Sequence, residues 1–210
     1  MVPELVSIWV AGWVVSRQRP PAVKHPWGYY IDVGRPDRVG RHVLPDPDAS
    51  SVRAATSSVT TPHTWLTLPV EVETAEPWLP AGWVADRAET GHLMATDLRA
   101  THPTTPDGYR TTVEQADGVT YVRVHDTDGG LAARGQMAVL GPATVIDKVV
   151  TEEAHRRRGL GSLVMRTLAD HAVSEGAHLG VLGATDAGRA LYETLGWQRR
   201  AGLADCVHRP

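Results

Sequence analysis

Residues 156–161 read Arg-Arg-Arg-Gly-Leu-Gly and stand between a predicted strand, residues 143–151, and a predicted helix, residues 161–175. The strand is rich in valine and isoleucine, as buried strands are. The helix carries apolar residues at the spacing of one buried face: Leu160, Leu163, Val164 and Leu168. Gly176 follows where a helix C-terminal cap is expected. The two glycines of the stretch therefore stand at the entrance of an amphipathic helix.

This turn has the properties of a phosphate site. A helix N-terminus leaves backbone N–H groups unpaired and carries a partial positive charge. Glycine lets the backbone approach an anion closely, and arginines add charged donors. The turn therefore predicts a phosphorylated cofactor, with a purely structural turn as the alternative. A P-loop is excluded because the chain has no Gly-Lys-Ser or Gly-Lys-Thr, and a dinucleotide fingerprint lacks its third glycine, since Val164 stands there.

A second block lies about thirty residues further on, where residues 190–197 read Ala-Leu-Tyr-Glu-Thr-Leu-Gly-Trp. The pattern R-x-x-G-x-G between a strand and a helix resembles the acetyl-CoA motif of the GNAT superfamily of N-acetyltransferases. The second block is similar to the family's L-Y-x-x-L-G-F ending, with Trp197 at the place of the phenylalanine. The resemblance covers residues 143–206. It implies an α/β (α+β) fold with a mixed, mostly antiparallel sheet flanked by helices, opened between two parallel central strands.

The resemblance also implies roles for individual residues. Tyr192 is expected to be the general acid that protonates the departing CoA thiolate, because a tyrosine hydroxyl is protonated at neutral pH. A core tyrosine with its hydroxyl at the rim is the alternative. Residues 149–151 are expected to bind the pantetheine arm and residues 157–162 the pyrophosphate. The residues expected to contact acetyl-CoA are Val149, Val150, Thr151, Arg156, Arg157, Arg158, Gly159, Leu160, Gly161, Ser162 and Thr185.

One position departs from the family pattern. Thr185 stands where many members have an asparagine that contacts the pantetheine, and Gly188 replaces the usual alanine. A threonine hydroxyl can still donate a hydrogen bond, and Asp186 is expected to cap the following helix.

The general base is less well specified. The attacking amine must lose a proton, usually to a carboxylate or a histidine. Asp147 is the first candidate because strand alternation places it on the face of Val149 and Thr151. The other candidates are Glu114, His125 and Glu152. The ten histidines show no metal-binding spacing, so no metal is expected.

The N-terminal hundred residues differ in composition from the rest. Six of the seven tryptophans and eleven of the fifteen prolines lie before residue 84. We therefore predict an N-terminal α/β region, residues 1–100, packed on a catalytic acetyl-CoA-binding domain, residues 105–210. Residues 3–16 suggest a buried helix with Trp9 and Trp13, and residues 28–33, 39–44, 64–68 and 91–98 suggest strands. Residues 41–46 are similar to the leading part of some bacterial GNAT proteins.

Composition limits the partners. The charged fraction is 21% and the formal net charge is -3, without the basic excess of a nucleic-acid binder. The apolar run of residues 6–15 is too short to span a bilayer and follows Glu4 rather than a basic residue, so a cytoplasmic protein is expected. The lone Cys206 is interpreted as a small residue near the last strand.

The expected activity is direct acetyl transfer from acetyl-CoA to a primary amine of a small molecule or peptide. Two alternatives stay open from the sequence: a non-catalytic acyl-CoA-binding module and an enzyme that modifies proteins. Neither the acceptor nor the oligomeric state is specified, and a homodimer is compatible with the sequence.

Overall fold

Five α-helices and twelve β-strands form the protein, whose residues 1–210 are all described by a computed structural model. The helices are α1 (Val2–Ser16), α2 (Ala49–Thr56), α3 (Val72–Ala75), α4 (Leu160–Ser174) and α5 (Asp186–Thr194). The strands are β1 (Val23–His25), β2 (Gly28–Arg35), β3 (Arg38–Val43), β4 (Trp65–Leu68), β5 (Trp83–Ala85), β6 (Gly91–Asp97), β7 (Tyr109–Ala116), β8 (Val119–Asp126), β9 (Leu131–Leu140), β10 (Ala143–Thr151), β11 (Leu179–Ala184) and β12 (Gln198–His208). Short 3₁₀ turns span Glu76–Trp78 and Glu153–His155.

The strands join one sheet in the order β1-β2-β3-β4-β12-β6-β11-β10-β9-β8-β7, and β5 also pairs with β12. Two neighbouring pairs are parallel, β3 with β4 and β10 with β11, and all the others are antiparallel. The prediction of a mixed, mostly antiparallel sheet with helices is confirmed.

Local sequence signals explain several boundaries. Asp48 caps α2 by accepting hydrogen bonds from the N–H groups of Ser50 and Ser51. Asp117 and Gly118, both at positive φ, form the turn between β7 and β8. Gly176, with a φ of 91°, ends α4, and the N–H of Ala177 returns to the carbonyl of Ala172.

Strand β6 lies inside the sheet, antiparallel to both β11 and β12. It precedes the proline-containing segment 101–107 in the chain, whereas its two neighbours follow that segment. The sheet is thus continuous across residue 100. The division into residues 1–100 and 105–210 stays a prediction.

The sheet opens between β10 and β11. These strands pair only from Ala143 to Val145 on β10 and from Leu179 to Val181 on β11, although both continue further. Beyond that point their facing edges have no strand partner. The expected opening between two parallel strands is therefore present, and it exposes backbone N–H and C=O groups that a ligand can bind.

A β-bulge interrupts β10 between Asp147 and Val150, with Lys148 at a φ of 52°. Val149 packs with the hydrophobic cluster that includes α4, whereas the Asp147 side chain binds Arg17 beside α1 on the opposite face. The expectation that Asp147 and Val149 share one face is wrong, because the bulge inserts one residue into the alternation.

Helices cover both faces of the sheet. Helix α4 packs on β8, β9 and β10, and α1 packs on the other face of β9, β10 and β11. Trp9 and Trp13 are buried in the α1 layer, as predicted. Helix α1 approaches β10 so closely that a Cβ atom at Gly12 would overlap the Val145 side chain. None of the helices has the length and apolar content that crossing a bilayer requires.

Candidate functional site

The arginine-glycine turn connects the end of β10 to α4. Arg157 and Gly159 adopt left-handed conformations, with φ values of 63° and 78°, and Gly159 is the N-cap of α4. No atom lies within 4 Å of the place where a Cβ of Gly159 would stand. The backbone of the turn therefore faces open space at the helix N-terminus.

The amide groups of this turn have no protein acceptor. The first helical hydrogen bond runs from the N–H of Leu163 to the carbonyl of Gly159. The N–H groups of residues 157–162 donate to no backbone or side-chain atom, and α4 has no side-chain cap. Six consecutive donors at the positive end of a helix dipole form an anion-binding concavity.

The three arginines of the turn are exposed and none forms an ion pair with a carboxylate. The Arg158 guanidinium donates to the Tyr109 hydroxyl at 3.0 Å, and Arg156 Nε lies 3.5 Å from the Thr151 carbonyl. Arg157 makes no hydrogen bond. Their positive charge thus adds to the field of the free amides without being neutralised by protein groups.

The turn also lies against α5. A Cβ at Gly161 would stand 2.9 Å from Leu191 Cδ2 and 3.5 Å from Thr151 Oγ1. Gly161 therefore lets α4, the end of β10 and α5 meet closely, and α5 is the helix that carries Tyr192. Leu160 is buried in the core, and Ser162 is half-buried in the first turn of α4.

Tyr192 is 8% exposed, and its ring lies over Gly188 and beside Trp197. Its hydroxyl makes no hydrogen bond within the protein. Burial, together with the nearby Asp147 charge, raises the pKa of Tyr192 to about 12. The hydroxyl is therefore a protonated, unengaged donor at neutral pH. A Cβ atom at position 188 would stand 3.2 Å from Tyr192 Cε2, so Gly188 makes room for the ring.

The three residues predicted to bind an extended arm lie beside the strand opening. Val150 and Thr151 pair with Arg134 and Ala133 of β9, whereas their other edge has lost β11. Val150 is 38% exposed. Val149, Val150 and Thr151 thus offer one unpaired strand edge that leads from the opening to the arginine-glycine turn.

Thr185 is the N-cap of α5 and accepts a hydrogen bond from the N–H of Gly188 at 3.2 Å. The expectation that Asp186 caps this helix is wrong. Asp186 is the first helical residue and binds His92 Nε2 at 2.7 Å instead. The Thr185 hydroxyl donates no hydrogen bond within the protein.

A polar cavity of about 330 Å³ lies on the α1 side of the opening. The Trp9 and Trp13 rings line one side of the cavity. Gly183 and Ala184, at the end of β11, and the following residue Thr185 also line it, and Asp147 reaches in from β10. The Asp147 carboxylate accepts hydrogen bonds from Arg17 Nε at 2.6 Å and Nη2 at 2.9 Å. Ser16 Oγ, at 3.3 Å, and the N–H of Lys148, at 2.9 Å, add two more.

The other candidate bases lie elsewhere. Glu114 pairs with Arg123 on the outer strands, and neither His125 nor Glu152 lines the cavity. Among the four candidates the structure brings only Asp147 to the cavity.

The remaining charged residues of the cavity were absent from the sequence-based predictions. They include Arg41 of β3 and Asp205 of β12, which are both buried and lie 3.2 Å apart. Asp205 interrupts the otherwise apolar residues 203–207 of β12, and this interruption is the signal that could have identified it, because a charge inside a strand core needs a buried partner. Strand β3 also contains Arg38 and His42, so no comparable signal marks Arg41.

Cys206 is fully buried in β12, and burial raises the pKa of its thiol to about 12. The interpretation as a packing residue is confirmed. No group of three or more His, Cys, Asp or Glu side chains is arranged to hold a metal ion.

Comparison with known proteins agrees with this geometry. The family model described as the Acetyltransferase (GNAT) family matches residues 65–197. A GCN5-related N-acetyltransferase from Kribbella flavida superposes with a TM-score of 0.67 at 19% identity, covering 99% of this chain and 95% of that one. A GNAT-family protein described as an acetyltransferase from Novosphingobium aromaticivorans superposes with a TM-score of 0.64 at 16% identity, covering 99% of both chains.

A GCN5-related N-acetyltransferase from Sphaerobacter thermophilus gives a TM-score of 0.58 at 11% identity, covering 87% of this chain and 77% of that one. At these identities the likeness establishes the fold. No curated protein matches the sequence.

Proposed function

The chain belongs to the GNAT family of acetyltransferases, and from this premise we propose that it transfers an acetyl group from acetyl-CoA directly to a primary amine. The observation that carries the proposal is the run of free N–H groups at residues 157–162, surrounded by unpaired arginines. A diphosphate is the part of acetyl-CoA that such a concavity binds best.

The pantetheine arm is proposed to continue along the free edge of β10. An extended amide-bearing chain can hydrogen-bond to Val149, Val150 and Thr151 in the way an added strand does. The Thr185 hydroxyl lies across the opening and is available to donate a further hydrogen bond. The acetyl group would then reach the point where β10 and β11 separate, between Tyr192 and the polar cavity.

The proposed chemistry has no covalent enzyme intermediate. The neutral amine attacks the thioester carbonyl, a C–N bond forms, and the C–S bond breaks as the tetrahedral intermediate collapses. Tyr192 donates its proton to the departing thiolate. Backbone N–H groups near residues 149–151 polarise the carbonyl oxygen. The proton of the amine leaves to water or to Asp147, which is the proposed base because it alone among the candidates lines the cavity.

Thiol release with a panel of amines, measured beside a CoA-binding titration, tests the proposal. Tyr192→Phe is expected to lower kcat by roughly 100-fold or more, the usual contribution of a positioned acid, with CoA affinity nearly unchanged. Tyr121→Phe, on β8 away from the opening, is the matched control. Undiminished turnover in Tyr192→Phe would remove the acid role. CoA binding without thiol release from any amine would instead support a non-catalytic acyl-CoA-binding module.

A further inference from the structure

The polar cavity has an ion pair at each of two places. Asp147 and Arg17 pair beside the strand opening, and Arg41 and Asp205 pair further along the wall. The Trp13 ring lies close to both pairs, with its centroid 4.5 Å from Arg17 Cζ and 5.9 Å from Arg41 Cζ. Both guanidinium groups therefore lie against the same aromatic ring of the cavity wall.

Arg41 has more donors than the protein uses. Its side chain is 7% exposed, and its one hydrogen bond runs from Nη2 to Asp205 at 3.2 Å. Its Nε is buried without a partner. Asp205 is shared, because it also binds the Thr67 hydroxyl and lies 3.9 Å from Arg38 Nη1. A buried guanidinium with five donors is usually fully engaged, so Arg41 lacks an acceptor.

The charges around the cavity cancel. Its lining contains four arginines, Arg17, Arg35, Arg38 and Arg41, and four acids, Asp37, Glu89, Asp147 and Asp205. A ligand with a single charge would leave one group uncompensated in a partly desolvated site, which is costly. A zwitterion adds one charge of each sign and leaves the site neutral.

We propose that the acceptor is a small amino acid whose carboxylate binds Arg41 and Arg38 and whose amino group lies beside Asp147 at the strand opening. This inference rests on the proposed function. The ammonium gives a proton to water or Asp147 before the neutral amine attacks the thioester. The cavity volume of about 330 Å³ is at the small end of ligand pockets, which suits a single small molecule.

A carboxylate fits this subsite better than a phosphate does. Asp205 stands between the two arginines and neutralises part of their charge, so a dianion would meet a carboxylate as well as the guanidinium groups. A carboxylate can accept a hydrogen bond from Arg41 Nη1, which makes no hydrogen bond within the protein.

The first test compares acceptors that differ in one group. Thiol release is measured with glycine, β-alanine, 4-aminobutyrate and L-alanine and with the carboxamide of each. Phosphoethanolamine is the acceptor that carries a phosphate in place of the carboxylate. We expect kcat/KM for at least one amino acid to exceed that of its carboxamide by roughly 10- to 100-fold, the value of one charge-assisted interaction. The inference is overturned if carboxamides or phosphoethanolamine serve equally well or better, or if none of the amino acids releases thiol.

The outcomes distinguish the proposal of acetyl transfer from the proposal of an amino acid acceptor. Thiol release with uncharged amines alone would leave the acetyltransferase proposal intact and remove the amino acid acceptor. An absence of both CoA binding and thiol release would remove the two together.

The second test replaces the guanidinium while keeping its charge beside Asp205. Arg41→Lys is expected to raise KM for the best amino acid by about tenfold or more, to leave KM for its carboxamide nearly unchanged, and not to alter CoA affinity. Arg53→Lys, on the exposed surface of α2, is the control. Retention of the full carboxylate preference in Arg41→Lys would contradict the assignment. Should this variant fail to fold, the comparison of acceptors on the native enzyme still decides.

Discussion

Burial controls the protonation state of Tyr192, the residue that we propose as the general acid. Its side chain is buried, its hydroxyl makes no hydrogen bond within the protein, and burial together with the nearby Asp147 charge raises its pKa to about 12. A tyrosine in this state does not ionise anywhere in the range of ordinary assays. We therefore expect no alkaline decline of kcat near pH 10 that arises from Tyr192.

The raised pKa also links Tyr192 to stability. The unfolded chain loses this proton near pH 10.0, whereas the folded protein holds it to about pH 12. The resulting stabilisation is complete below pH 10 and is lost as the pH rises toward 12. Between pH 10 and 11, the unfolding free energy of the native protein should fall relative to that of Tyr192→Phe by about 1 kcal/mol. Denaturant titrations measure this difference, and a pH-independent difference contradicts the assignment.

For His42 we predict a loss of stability at acidic pH, the opposite end of the pH range. It is 7% exposed, its Nδ1 is buried without a partner, and burial together with the neighbouring His25 lowers its pKa to about 4. The unfolded chain therefore binds a proton at a higher pH than the folded protein does, and stability is lost as the pH falls from 6.5 toward 4. In His42→Phe this loss should shrink by on the order of 1 kcal/mol per pH unit. An identical acid response in both proteins contradicts the prediction.

At the scale of elements, most boundaries follow from local sequence. The valine- and isoleucine-rich composition predicted β10, the spacing of one apolar face predicted α4, and Gly176 marked the end of α4 because capping depends on adjacent residues only. The bulge at Lys148 could not be predicted in this way. Nothing in the apolar pattern of β10 specifies an extra residue, which is fixed by the facing strand and by the Asp147 contacts.

The residues of the candidate site also differ in whether local sequence can suggest them. Roles for residues 157–162 and Tyr192 could be proposed from the sequence because the motifs that suggest them lie in a continuous turn and a single helix. The cavity arginines could not, because they come from the residue that follows α1 and from the β2–β3 hairpin, and only the tertiary arrangement brings them to Asp147 and Asp205. Neither their spacing nor their neighbours in sequence indicates a shared cavity.

The Arg17–Asp147 pair joins the end of α1 to β10. Its side chains are 32% and 14% exposed. Removing the charge of one partner leaves the other charge unpaired and only partly hydrated. Arg17→Gln and Asp147→Asn should therefore each lower the unfolding free energy by about 1–3 kcal/mol. A double-mutant cycle should give a coupling energy near 1 kcal/mol or more.

The exposed Arg35–Asp37 pair, with side chains 60% and 66% exposed and a similar contact of 2.7 Å, is the matched control for this cycle. Its coupling should be well below 1 kcal/mol because water screens it. Equal coupling energies for the two pairs would contradict a docking role for Arg17 and Asp147.

At the scale of the molecule, the N-terminal residues are part of the same sheet as the phosphate turn. Strand β6 lies between β11 and β12, and α1 covers Val145 and Val181 on the face opposite α4. The first hundred residues therefore supply both a central strand and one of the two covering layers. They also supply one wall of the cavity that we assign to the acceptor.

Deleting residues 1–100 should accordingly give an insoluble fragment. The deletion unpairs the facing edges of β11 and β12 and exposes the apolar face under α1, and both promote aggregation. Expression followed by size-exclusion chromatography measures the outcome. A soluble, monomeric fragment of residues 101–210 that transfers acetyl groups would contradict this account of the N-terminal region.

The claim that the free amides at the start of α4 bind the diphosphate is tested most directly by calorimetric titration of CoA into Gly159→Ala and Gly141→Ala. Both glycines have positive φ, 78° and 60°, with no atom within 4 Å of the position that an alanine methyl group would take, so both substitutions should cost about 1 kcal/mol of stability. Only Gly159→Ala places that methyl group in the anion concavity. We predict that it weakens CoA binding by roughly tenfold or more, whereas Gly141→Ala binds like the native protein. Equal CoA affinity in all three proteins would contradict the assignment.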